Sequence, residues 1–134
     1  MDDIRWKQRF SNFQKSLAYL AGAVEIKEPS IVQQAGTIQF FEMSFELAWK
    51  TLKDYLFEQG FIDIKSPRAT IKKAFEVDLI EDGHLWLEAL ENRNLAAHTY
   101  DEEKAKKIYA LICESYFPLL NQLKDKLQKL EDES

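Results

Sequence analysis

Four glycines and three prolines are all the helix breakers in a chain of 134 residues. So few breakers, beside abundant Leu, Ala, Glu, Lys and Gln, argue against a sheet of many short strands and favour long helices. The single cysteine, Cys113, excludes an internal disulfide and suits a reducing cytoplasm. Set among apolar residues of an expected helix, Cys113 reads as an inert core thiol. No apolar run approaches the roughly 20 residues of a membrane span. The opening MDDIRWKQRF carries acids where a secretory signal has an apolar stretch, so no signal of that kind is expected. Basic charge is also short: the net charge of −5 argues against an extended electrostatic grip on nucleic acid. Contact with RNA would be confined to a local basic cleft. Two histidines 14 residues apart, with no cysteine pair, give poor metal-ligand spacing, so neither a metal site nor a cofactor is expected.

Hydrophobic residues make up 46% of the chain, enough for a globular core, and its length fits one domain over residues 1–134. Five helical segments follow from periodicity and stop signals. The first, from about Asp3 to Val24, repeats Phe10, Phe13, Leu17, Leu20 and Val24 on one face. Glu28-Pro29-Ser30 interrupts it. The second, about Ser30 to Gln59, aligns Ile31, Ile38, Phe45 and Leu52 beside a companion row of Phe41, Ala48 and Tyr55, the seam of a bundle helix. Gly60 stops it. In its middle Glu42, Glu46 and Lys50 stand at four-residue steps; they read as a local Glu-to-Lys pair rather than a catalytic pair of carboxylates. Ser66-Pro67 starts a short third helix through about Val77. Asp82-Gly83 precedes a fourth ending near Ala96. The fifth, about Asp101 to Leu130, carries Ala105, Tyr109, Ile112, Tyr116, Leu119, Leu123 and Leu130 in its stripe, and Pro118 should kink it. The tail EDES should fray. The sum is an all-α fold, an antiparallel up-and-down bundle of four or five helices.

One stretch carries chemistry: Glu91-Asn92-Arg93-Asn94-Leu95-Ala96-Ala97-His98-Thr99-Tyr100-Asp101, joining the fourth and fifth helices. Trp86, Leu90, Arg93 and Ala97 share the inward face, so a guanidinium stands where an apolar residue is expected and needs a partner or a wet cleft. Five residues separate Arg93 from His98, about 140° on an unbroken helix. They converge only if the helix loosens near Ala97. Asp101 fits as N-cap of the fifth helix, with Glu102 and Glu103 suiting its positive end. His98 can exchange a proton near neutral pH, and Arg93 can hold a phosphate by paired hydrogen bonds. Asn94 could orient His98 or a phosphate oxygen. With the ribose 2′-hydroxyl as attacking group, phosphodiester cleavage in RNA needs no metal. The plainer alternative is an Arg93 satisfied by helix carbonyls and a His98 bonded to loop backbone. His84 lacks a companion in the pattern and reads as a surface residue.

The segment Ile38 to Leu56, IQFFEMSFELAWKTLKDYL, resembles the second-helix signature of the nucleotidyltransferase substrate-binding family. Glu91 to Tyr100 resembles the Arg-Asn-x-x-x-His-x-Tyr motif of the wider HEPN superfamily, and Ser66-Pro67-Arg68 extends the likeness in order along most of the chain. The resemblance implies a dimeric helical bundle that works beside a minimal nucleotidyltransferase. It further implies a ribonuclease toxin whose partner silences it by adding AMP to the motif tyrosine. By position Arg93, Asn94 and His98 are then the nuclease residues and Tyr100 the modified one. Two motifs meeting across a two-fold axis would line one composite cleft. The rival is a non-catalytic module that presents substrate to, or regulates, the transferase. A third reading is a plain interaction bundle.

Overall fold

The computed structural model describes residues 3–96 and 101–134. Helix α1 (Asp3–Val24) buries Trp6, Phe10, Phe13, Leu17 and Leu20, the three- and four-residue repeat of its sequence. It packs along α2 (Ile31–Glu58), the longest helix and the one that touches every other. A capping box starts α2: Ser30 Oγ accepts the Gln33 backbone N–H at 3.1 Å, and Gln33 Oε1 accepts the Ser30 N–H at 2.9 Å. It ends at Gly60, whose φ of 101° allows Phe61 N–H to reach back to the Leu56 carbonyl at 2.9 Å.

Of the two expected rows on α2, Ile38, Phe41, Phe45, Ala48 and Leu52 are fully or nearly buried, and Tyr55 is half-buried. Ile31 departs from its row. It is 66% exposed and borders an open pocket whose other side is lined by the small Ala96 and Ala105. Two ties lock α1 to α2 beyond apolar packing: Arg9 Nε donates to Asp54 Oδ2 at 2.9 Å, and Ser16 and Ser44 share a buried hydrogen bond of 2.8 Å.

Helix α3 (Pro67–Glu76) opens with Ser66 as cap and Pro67 at its first position. Helix α4 (Gly83–Ala96) presses Trp86, Ala89 and Leu90 inward. Asp101 caps α5 (Glu102–Leu111) by accepting from the Glu103 and Lys104 N–H groups. A π turn over Ile112–Tyr116 then leads into α6 (Phe117–Asp132). The expected kink at Pro118 takes the form of this wide turn. Pro118 has no N–H to give Glu114, and its ring would press on that carbonyl; the preceding Phe117 N–H bonds back to Ile112 instead.

No strand occurs among the described residues, and the fold is an all-α bundle. Cys113 is a free, half-buried thiol rather than a core one, since it stands one residue off the inward Ile112. No described helix is long and apolar enough to cross a membrane.

Candidate functional site

Helix α4 follows its apolar neighbours Trp86 and Leu90 with Arg93, and across from Arg93 the surface of α2 offers carboxylates. The Arg93 guanidinium donates through Nη2 to Glu46 Oε1 and through Nη1 to Asn94 Oδ1 at 3.0 Å. The other Glu46 oxygen holds Lys50 Nζ at 3.0 Å. One carboxylate is thus shared by two cations, with both Arg93 and Glu46 about seven-tenths buried. The local Glu46–Lys50 pair is present as expected. The helix-carbonyl alternative for Arg93 is replaced by a side-chain partner 47 positions away. Asn94 accepts from Arg93 and so steadies it.

Glu42, one turn before Glu46 on α2, adds a second acid. Burial raises its carboxyl pKa above the usual 4.5, and the Arg93 charge offsets this only in part. A carboxyl raised in this way contributes stability at low pH that is lost as pH rises through its folded value; ionised Glu42 weighs against the fold. Gln39, Glu42, Met43, Glu46 and Arg93 line an open cleft of about 290 Å³. His98 and Tyr100 lie outside the described residues. Their flanks are placed: α4 runs to Ala96, and Asp101 begins the cap of α5. His84 is exposed at the opposite end of α4 and shares no cleft with Arg93.

Beneath this end of α4 is a polar cluster that the sequence did not announce. Tyr116, delivered by the π turn, donates its hydroxyl to Glu88 Oε2 at 2.7 Å and accepts from Asn92 Nδ2. Its ring stacks on Phe41 of α2 with centroids 5.4 Å apart. Burial, then the bond to Glu88, pushes the phenol up to about 12. Glu88 and Asn92 are four residues apart, a signal for one helical face, but their partner stood in an apolar stripe 24 residues past Asn92. The cluster fixes the turn of α4 that bears Arg93. Replacing Tyr116 by Phe should cost about 0.5–1.5 kcal/mol in urea unfolding at pH 8, the usual worth of a lost hydrogen bond, since the exposed Glu88 and half-exposed Asn92 regain water. Neutral Tyr116 is favoured by the fold, so wild-type stability should fall as pH rises from 10 toward about 12. The Phe variant should lack that share of the decline.

The fold and cleft define a helical bundle with an arginine of α4 poised against carboxylates of α2. The chain belongs to the family described as nucleotidyltransferase substrate binding protein like, whose model matches residues 8–129. It is similar to a Haemophilus influenzae protein named probable ribonuclease HepT, at 38% identity over 118 residues, covering 75% of this chain and 76% of that one. A Thermus thermophilus crystal structure is similar at a TM-score of 0.79 and 35% identity, covering 86% of this chain and 98% of that one. A Haemophilus influenzae structure, described as revealing the fold of a substrate-binding domain of a nucleotidyltransferase, is similar at a TM-score of 0.63 and 26% identity. It covers 96% of this chain and 99% of that one.

Proposed function

We propose that this chain is the ribonuclease of a two-component toxin–antitoxin module, partnered and silenced by a minimal nucleotidyltransferase. The observation that carries the reading is Arg93: a largely buried guanidinium, held by Glu46 and Asn94 at the mouth of an open cleft, next in sequence to the connection bearing His98. The relatives' descriptions, a probable ribonuclease and a nucleotidyltransferase's substrate-binding domain, support the two halves of the proposal.

In the proposed reaction the 2′-hydroxyl of the ribose attacks the adjacent phosphorus. The bond to the 5′-oxygen of the next nucleotide breaks, leaving a 2′,3′-cyclic phosphate and a free 5′-hydroxyl. His98 takes or gives the proton, and Arg93 stabilises the charge that builds on the phosphoryl oxygens. A homodimer would supply a second His98, so that one takes the proton and the other gives it. AMP on Tyr100, two residues from His98, would place a bulky anion beside the cleft, exclude RNA and compete for Arg93.

The test is growth and RNA integrity in cells expressing the chain alone. Wild type should arrest growth and cleave RNA; His98→Ala should do neither. Co-expression of the transferase should restore growth and add one or more AMP masses to wild type but not to Tyr100→Phe. Intact RNA with folded, abundant wild-type protein would favour the rival, a non-catalytic subunit that presents substrate to the transferase.

A further inference from the structure

Small side chains leave space where α2, the end of α4 and the start of α5 converge. Ala35, Ala96 and Ala105 border a second pocket of about 220 Å³, several times the roughly 30 Å³ of a water molecule. Ile31 and Ile38 give it apolar walls, and its rim carries Glu42 and Lys106. Gln39 and Glu42 belong both to this pocket and to the Arg93 cleft, so the two form one trough along α2.

Three features describe the ligand. The walls are apolar and the space is small, which suits a flat heterocycle. The acids Glu42 and Glu102 disfavour a phosphate inside. Glu42 makes no hydrogen bond or ion pair with any described residue, and burial penalises its charge. A carboxylate kept at a cost to the fold, with its oxygens bonded to no described residue and beside an apolar pocket, is suited to take N–H donors from a ligand.

We propose that this pocket seats a nucleobase of the RNA and that Glu42 reads its edge, guanine being favoured. The proposal rests on the RNA-cleaving reading above and names its specificity subsite. Guanine presents two adjacent N–H donors, from N1 and the exocyclic N2, to the two oxygens of one carboxylate. Adenine and cytosine offer a single exocyclic amine next to an acceptor, which a carboxylate repels. Glu42 and Glu46 are one helical turn apart, about 6 Å along α2. A base held at Glu42 therefore leaves its phosphate within reach of Arg93, with Lys106 at the rim of the pocket.

The test is titration of the full-length isotope-labelled protein with GMP and with AMP, followed by NMR. GMP should shift the methyl resonances of Ile38 and Ala105 and bind at least fivefold more tightly than AMP. Glu42→Gln should weaken GMP about tenfold and leave AMP unchanged, because an amide meets one donor with a donor of its own. The same variant should melt no lower than wild type, which separates lost binding from lost fold. Ala105→Leu should reduce both ligands by filling the pocket. Equal GMP affinity in wild type and Glu42→Gln, or shifts that spare Ile38 and Ala105, would overturn the proposal. RNA cleavage assayed on the same preparations keeps the two ideas apart. Cleavage without a GMP response at Ile38 and Ala105 removes the subsite and leaves the ribonuclease; a GMP response without cleavage does the reverse.

Discussion

Arg93→Ala should lower RNA cleavage by about two to three orders of magnitude, the usual cost of removing one preorganised donor from a developing oxyanion. The fold should hardly notice. Glu46 keeps Lys50 as a partner, and partly exposed ion pairs contribute only about 0–1 kcal/mol. Glu42 loses the charge that offsets its burial, but it is half-exposed and can take up a proton. Arg93→Lys should rescue little, since an ammonium cannot bridge Glu46, Asn94 and a phosphate with a planar fork. Single-turnover cleavage and a thermal melt on the same samples check this. A melt lowered by more than 10 °C, with cleavage by the remaining folded protein unchanged, would reduce Arg93 to a structural tie.

Phe45→Ala should act first on the fold and only through it on activity. Phe45 is fully buried on α2, with its ring centroid 5.8 Å from that of Phe41 and 5.6 Å from that of Trp86 on α4. Truncation of a core Phe costs about 3–5 kcal/mol, set against a total stability of about 5–15 kcal/mol for a small domain. The melting temperature should drop by on the order of 10–20 °C. Phe45 also sets how closely α4 rides on α2, and so whether Arg93 meets Glu46. Residual activity below the unfolding transition should therefore fall too. A melt within 3 °C of wild type would show that the Phe41–Phe45–Trp86 contacts are not what joins the two helices.

The two predictions differ in how visible their residues were beforehand. Phe45 was legible: its row repeats by sevens, and Ser30, Gly60, Ser66-Pro67 and Asp101 marked helix ends by local hydrogen bonding alone. Arg93 was legible as an anomaly, a charge on an apolar face. Its partner was not, because Glu46 already had a satisfying local explanation in Lys50, and the pairing across 47 residues exists only once α4 lies on α2. Tyr116 was hidden for a related reason. A tyrosine in an apolar stripe shows its ring to the periodicity and its hydroxyl to nothing. Pro118 announced a disturbance, but whether a helix bends or widens depends on which carbonyl its neighbours can reach. Ile31 had the right spacing for burial, but it faces the small Ala96 and Ala105 across an open pocket rather than a packed side chain.

Glu46 gives Arg93 an anion of its own, and that sets a threshold for anything else that would bind there. A lone chloride or a single small carboxylate must outcompete a tethered carboxylate already gripped from two sides, and gains little by doing so. A chain of phosphates can do better. As one phosphate takes Arg93, the displaced Glu46 falls back on Lys50, and further phosphates and bases find the rest of the trough. The site would then stay closed to the abundant simple anions around it and open to a polymer.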